Sequence, residues 1–368
     1  MSDESNEVFM IIGYNLVCLV LIGLWRINPN LNEKIKNWKY SWLIASSILL
    51  SIMMLSINLF LLGTDVDDAI TSGTLGFLDG KNPYTDKVVL HHLYGEDVWS
   101  VYHYLPPDLY FHTITRFFLE TQMPFVLTWL DVQWIVIPYL VILIPTYFIA
   151  HKISELSHQR FLPVFLVIIS AFLFTNSILM LVLFVIGEYF HRRGLKMLAI
   201  TFYILSASIK YMSGLWIIVM FLEDLKQFQN KRNWSFLKFY ILPSLILFLL
   251  CLPFGIDNVT SAAFLYQGDP ETREQVAQTR GPLLIELLIM LGLDNLYLGI
   301  FVILIGIILL LTHQMKFKKR VMIVSLGILL LLPFYGTELA IIPLFFWLLP
   351  EYVDKEGQTL NYPKNSST

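Results

Sequence analysis

Three carboxylates, Asp65, Asp67 and Asp68, follow directly after an apolar segment, residues 40–62, that is long enough to span a membrane. A carboxylate at the rim of a bilayer can act as a general base towards a substrate hydroxyl, because the low dielectric raises its pKa. On a helix that begins here, Asp65 and Asp68 share a face, but the same acids can instead cap the helix and favour its dipole. The spacing predicts either an acid–base site or a capped helix start and does not choose between them.

Two cations occupy positions at which a membrane protein would hold an anionic group. Lys210 interrupts the apolar segment 197–223, and charges inside a membrane are costly and usually paired or functional. An ammonium there can bind a lipid phosphate as a point charge, whereas the alternative is a lysine that extends from a helix end to water. Arg280 precedes another apolar segment and is the second candidate for phosphate binding.

Polar and aromatic residues of the segment after Asp68 are candidates for substrate contacts. Asn82 and Tyr84 lie in Gly-Lys-Asn-Pro-Tyr, and Tyr104 lies in Tyr-His-Tyr-Leu-Pro-Pro. The aromatic rings can stack on a sugar, or they can belong to the aromatic belt that membrane proteins place at the interface. Glu338 stands at a further predicted helix start, where it either caps the helix or contacts a substrate hydroxyl.

The sequence lacks the motifs of several common enzyme classes. It contains no HExxH zinc motif, P-loop, GxGxxG or GxSxG. We therefore expect no metal, no other cofactor and no nucleic-acid partner. A divalent ion is the open alternative, because the long polar segment after residue 62 combines many carboxylates with His91, His92, His103 and His112.

The high hydrophobic fraction of the chain indicates the class of protein that holds these candidate site residues. Of the 368 residues, 56% are hydrophobic and 14% are charged, whereas soluble domains carry about 25% charged residues. Long apolar runs along the whole chain predict an all-α polytopic membrane protein with about eleven transmembrane helices, forming a single domain over residues 1–350. Residues 351–368 are predicted to be a disordered cytoplasmic tail.

The charges of the loops predict the orientation. Short basic loops are typical of the cytoplasmic side, and five of them fit: residues 26–39, 151–160, 191–196, 226–238 and 313–320. The two long acidic loops, 63–107 and 255–296, are then external. The segments 161–190 and 197–223 have basic flanks at both ends, so each is predicted to be a hairpin of two short helices, turning near Asn176-Ser177 and near Lys210. The alternative is one long tilted helix for each segment.

The order of these features resembles the polyprenyl-phosphate-dependent glycosyltransferases of the GT-C fold. It is most similar to the bacterial and archaeal mannosyltransferases of glycosyltransferase family 87, also known as DUF2029. In that family an Asp that follows a membrane span precedes G-x-[DN]-P-Y and then a tyrosine-proline element. The stretch 172–222 is also similar, with a polar turn at Asn176 and a helix that ends in a lysine, Lys210. The chain departs from the family pattern at Tyr211, where proline is common, and at Glu338, where histidine is common.

The resemblance implies a membrane enzyme that moves a hexose, with mannose favoured, from a polyprenyl-phosphate donor to an acceptor hydroxyl. The acceptor would be a lipid, a cell-wall glycan or a protein, and the site would face the exterior of a prokaryotic plasma membrane, among membrane lipids. By the resemblance, one of the three acids is the base of an inverting displacement, and Lys210 and Arg280 neutralise the departing lipid phosphate. The residues implied in substrate binding are Asn82, Tyr84, Tyr104, Asn176 and Glu338.

A transporter or flippase of lipid-linked sugars is the alternative function. Transporters are typically built from inverted repeats, with broken helices at matched positions and several charges near the midplane. The sequence contains one lysine, Lys210, within an apolar region and no convincing internal repeat. This pattern favours the transferase.

Overall fold

The fold is seen in a computed structural model. It describes residues 65–86, 88–93, 96–100, 102, 104–125, 127, 134–135, 137–139, 142, 145–146, 149, 152–153, 176–210, 213–231, 234–262, 287–288, 290–291, 296–331, 352–353 and 359–360. The described elements are predominantly helical, in agreement with the predicted class. The strands in the described part of the chain form two short antiparallel hairpins.

The predicted external loop 63–107 contains regular structure. Helix α1 spans Asp65–Leu78 and packs against the first strand of a hairpin formed by β1, Val88–Leu93, and β2, Glu96–Ser100. Helix α2 spans Pro106–Gln122. Its two leading prolines suit a helix start, because the first turn has no carbonyl partner for their missing N–H groups.

Three consecutive helices form the centre of the described structure. Helix α3 spans Asn176–Arg192 and packs antiparallel against α4, Lys196–Ile209; Gly194 makes the tight turn between them with a φ of 75°. Helix α5 spans Gly214–Lys231. The predicted break near Lys210 is therefore confirmed, because α4 ends one residue before it. The turn predicted near Asn176-Ser177 stays a prediction, because the preceding residues 161–175 lie outside the described part.

The most apolar helical segment follows α5. A 3-10 turn at Trp234–Leu237, helix α6 at Lys238–Cys251 and a 3-10 turn at Leu252–Phe254 form a continuous stretch of 21 residues. Within the described residues, this is the one helical stretch that is long and apolar enough to cross a membrane. The remaining elements are α7, Ile256–Thr260, α8, Tyr297–Leu311, α9, Phe317–Leu331, and the strands β3, Tyr352–Val353, and β4, Thr359–Leu360. The last two strands pair within the tail for which the sequence predicts disorder.

The helices α4 and α6 define two ends of the structure. The Lys196 ammonium and the Tyr240 hydroxyl both donate to the carboxylate of Asp224 in α5, at 2.5 and 2.6 Å. This shared partner brings the starts of α4 and α6 together, and the two helices pack against each other. They therefore run in the same direction, and their far ends, at Lys210 and at Phe254, lie at the opposite end of the structure. We call these ends the Lys196 end and the Phe254 end.

Candidate functional site

Asn82 ties the first loop to the Phe254 end. Its side-chain amide donates to the carbonyl of Phe254 at 3.2 Å, and its side-chain oxygen accepts from the backbone N–H of Tyr84 at 3.1 Å. Its own backbone N–H donates to Asp86 Oδ2 at 2.9 Å. The Asn-Pro-Tyr element is thus a hydrogen-bonded turn that rests on the end of α6.

Tyr84 is buried beneath this turn, with 3% of its surface exposed. Its hydroxyl donates to the carbonyl of Tyr104 at 2.7 Å, and its ring centroid lies 5.0 Å from that of Phe254. Burial, followed by the negative charge of Asp108, raises the pKa of the Tyr84 hydroxyl well above its ordinary value. The hydroxyl therefore stays protonated and serves as a donor. The structure brings together Asn82, Tyr84 and Tyr104, and their contact with a substrate stays a prediction.

A buried polar network lies next to this turn, and sequence reasoning missed most of it. The Tyr102 hydroxyl donates to Asp108 Oδ2 at 2.6 Å, and both side chains are fully buried. His112 Nδ1 lies 2.8 Å from the Asp108 carbonyl oxygen, and its Nε2 lies 2.7 Å from the Tyr139 hydroxyl. A neutral imidazole that donates from Nδ1 accepts the Tyr139 proton at Nε2. The network joins Tyr102, which follows β2, to α2 and to Tyr139.

A spacing signal for part of this network is present in the sequence. Asp108 and His112 are four residues apart, and residues at that spacing meet on one face of a helix. From the sequence, His112 is only one of several possible metal ligands. Among the described residues, no group of three or more His, Cys, Asp or Glu side chains is arranged to hold a metal ion.

The same tyrosine braces helix α1. The ring of Tyr102 packs on Gly73, where an added Cβ would lie 2.4 Å from Tyr102 Cδ2. Ala69, one turn earlier in α1, belongs to the same buried cluster as Tyr102. Burial, and next the charge of Asp108, raise the pKa of Tyr102 well above its ordinary value, so this hydroxyl also stays protonated. The position of α1 is therefore determined by its contact with a ring that Asp108 holds in place.

We expect Gly73→Ala to destabilise the protein by about 1–3 kcal/mol, because the added methyl must displace either the Tyr102 ring or helix α1. The thermal unfolding midpoint of the purified protein measures the effect. Gly306→Ala in α8 is the matched control, since nothing lies within 4 Å of its added Cβ and alanine has the higher helix propensity. Equal midpoints for the two variants would contradict the close packing at Gly73.

Asp65, Asp67 and Asp68 are helical in backbone and belong to the first described residues of α1. The residues before Asp65 lie outside the described part, so the predicted helix start stays a prediction. The side chains of Asp65, Asp67 and Asp68 lie outside the described part. The same is true of the Asn176 side chain and of Arg280 and Glu338.

Lys210 lies in the short connection between helices α4 and α5. Its backbone is extended, with φ −142° and ψ 125°, and its N–H donates to the Ser206 carbonyl at 3.2 Å. The Ser206 hydroxyl donates to the carbonyl of Met180 in α3 at 2.7 Å. Because Ser206 is one turn before Lys210 and Met180 is one turn after Asn176, the end of α4 lies beside the start of α3. The structure thus brings the backbones of Asn176 and Lys210 to the same end, and the Lys210 side chain is half-buried.

Comparisons with protein-family models, with curated proteins and with solved structures found no match to this chain. The resemblance to the GT-C transferases therefore depends on the short motifs around Asp65, Asn82 and Lys210.

Proposed function

We propose that this chain is a polytopic membrane glycosyltransferase that moves a hexose from a polyprenyl-phosphate donor to an acceptor hydroxyl at the external face of the membrane. One observation carries the proposal. The helix break at Lys210 lies at the Phe254 end, where the turn that follows α1 is also docked through Asn82. A cation and the Asn-Pro-Tyr element are thus associated with one end of the structure, which supports a substrate site there, and the acids at the other end of α1 are proposed to complete it.

The proposed reaction needs groups of opposite charge on one side of the membrane. An Asp of the first turn of α1 accepts the proton of the acceptor hydroxyl, whose oxygen forms a bond to the anomeric carbon. The bond between that carbon and the phosphate oxygen breaks, with inversion, and the electron pair leaves on the polyprenyl phosphate. Lys210 and Arg280 stabilise the charge that develops on this leaving group.

The lipid anchor explains why the cation belongs at a helix break. The leaving phosphate stays at membrane level because its polyprenyl chain is in the bilayer. A lysine at the end of a short helix can reach that depth, because its apolar stem lies along the protein and its ammonium remains in a polar environment. An exposed loop lysine such as Lys81 could bind a soluble anion as well as Lys210 does. It would not favour an anion that is anchored in the membrane.

The function is tested with the purified chain in liposomes that contain a radiolabelled polyprenyl-phosphate mannose. Mass spectrometry of membrane glycolipids from cells with and without the chain identifies the acceptor. Appearance of a glycosylated acceptor supports the transferase. Movement of the labelled donor across the bilayer without any transfer would instead support the flippase, for which a broken helix such as that at Lys210 is also typical.

We expect Lys210→Ala to weaken use of the donor by about 10- to 100-fold, since a hydrogen bond to a charged group contributes about 1.5–3 kcal/mol. The KM for the acceptor should stay unchanged. Steady-state kinetics with each substrate varied in turn measures both effects, and Lys81→Ala, an exposed lysine near the same end, is the control. An equal rise in KM for both substrates would remove the phosphate role of Lys210.

A further inference from the structure

The Lys196 end concentrates carboxylates that point into the protein. Glu188 of α3 is fully buried; its oxygens accept from Arg192 Nε at 2.8 Å and from the Tyr203 hydroxyl at 2.7 Å. Asp224 of α5 is buried between Lys196 and Tyr240. Both acids thus have their charge balanced by cations inside the helix bundle.

The helices α8 and α9 join this end through α5. Glu223 Oε1 accepts from Arg320 Nη1 of α9 at 2.8 Å, and Arg320 Nη2 donates to the carbonyl of Leu309 in α8 at 3.1 Å. Lys226 Nζ donates to the carbonyl of His313 at 2.6 Å. The end of α8 and the start of α9 therefore lie at the Lys196 end, together with the acids that they help to neutralise.

Among the described residues at this end, the exposed charged side chains that we can place are positive. Four cations from three separate connections point outward: Arg193, Lys238, Lys316 and Lys319. Arg193 follows α3, Lys238 is the first residue of α6, Lys316 directly precedes α9 and Lys319 lies in its first turn. Because Glu188, Glu223 and Asp224 are paired within the protein, these four residues give the described part of this surface a positive charge. We call them the cationic rim.

Exposed apolar side chains lie close to Arg193 and Lys238 in the sequence. They come from the start of α4, the first turn of α6 and the 3-10 turn before α6: Leu195, Leu198, Trp234, Ile241 and Leu242. More than half of the Trp234 surface is exposed, at 59%. A soluble polyanion would be matched by the cations alone and would leave this apolar surface in water. Exposed cations together with exposed Trp and aliphatic side chains suit the headgroup region of a bilayer, where charged groups contact phosphates and apolar groups contact acyl chains.

We infer that the cationic rim binds the phosphate headgroups of anionic phospholipids, with the neighbouring apolar side chains in the acyl region. Lysine and arginine near an anionic leaflet each contribute electrostatic attraction that falls off within a Debye length. The inference goes beyond the proposed reaction and does not depend on it, because none of these residues belongs to the proposed catalytic machinery at the Phe254 end.

Lipid binding to the full chain in a neutral detergent tests the inference. Phosphatidylglycerol and phosphatidylcholine with identical acyl chains are titrated, and binding is followed by native mass spectrometry. We expect clear preference for phosphatidylglycerol, and about 10- to 30-fold weaker binding of it to the double variant Lys316→Gln/Lys319→Gln. The charge-preserving double variant Lys316→Arg/Lys319→Arg should bind as the original chain does, and so should Lys81→Gln at the other end.

Several results would overturn the inference. One is equal affinity for the two lipids, and another is an unchanged affinity for phosphatidylglycerol in the double glutamine variant. Inorganic polyphosphate that binds with phosphatidylglycerol-like affinity and displaces the lipid would identify a site for soluble polyanions instead. If the double variant does not fold, Lys238→Gln on α6 replaces it, because that lysine is exposed on a different element. An unchanged affinity of this variant for phosphatidylglycerol would likewise overturn the inference.

Discussion

Replacement of Asp65 by asparagine is expected to abolish hexose transfer from a polyprenyl-phosphate donor. General-base catalysis by a positioned carboxylate typically accelerates a reaction by about 10²–10⁴-fold, and an amide cannot accept the proton of the acceptor hydroxyl. The two side chains have nearly the same size, and Asp65 is the first described residue of α1, so the substitution adds no bulk there. Folding and membrane insertion should therefore be unaffected. Product formation by the reconstituted variant measures the loss.

Asp79→Asn is the matched control for this experiment. Asp79 follows the last residue of α1, at the opposite end of the same helix, and its side chain is exposed. Its variant should retain full activity, which separates a specific base from a general requirement for acidity in the loop. Undiminished product formation by the Asp65 variant would exclude Asp65 as the base, and the same substitution would then be examined at Asp67 and Asp68.

Asp224→Ala is expected to lower the free energy of unfolding by about 3–5 kcal/mol, because loss of one partner leaves a buried charge without its counterion. The Lys196 ammonium loses the carboxylate that it contacts at 2.5 Å, and the Tyr240 hydroxyl loses its acceptor at 2.6 Å. Three helices meet at this carboxylate, so the change should loosen the whole Lys196 end. Denaturant titration in micelles, followed by the fluorescence of the nine tryptophans, measures the effect.

Two further variants make the Asp224 experiment specific. Glu120→Ala removes an exposed carboxylate that pairs with Arg116 four residues away, and exposed pairs of this kind contribute about 0.2–1 kcal/mol. The double variant Lys196→Met/Asp224→Leu removes both charges, so it should recover much of the stability that Asp224→Ala loses. A double variant that is less stable than Asp224→Ala would show that the buried charges are not the cause.

The break between α4 and α5 was predictable from local sequence. Lys210 interrupts the apolar run 197–223, and a change in polarity is a local property of the chain. Helix α4 accordingly ends at Ile209, and α5 begins at Gly214. The count of about eleven transmembrane helices is not settled by these elements and stays a prediction.

The roles of polar residues inside the structure were much harder to predict. The sequence suggests that Tyr84 stacks on a sugar. In the fold, its side chain is buried and its hydroxyl donates to a backbone carbonyl. Asp108, which the sequence did not single out, accepts from the hydroxyl of Tyr102, whose ring packs on Gly73. Each of these roles depends on a partner from a different element, and no periodicity within one segment identifies that partner.

By itself, the sequence determined the helical class, the apolar character of the chain and the places where charge interrupts it, since these follow from side-chain type and spacing. Only the tertiary structure decided which charges are turned inward. Cations from the same helix and from a neighbouring helix neutralise Glu188 and Asp224 inside the bundle. The physical reason is that burial of a charge depends on a counterion within a few ångströms, and packing of the helices sets that distance.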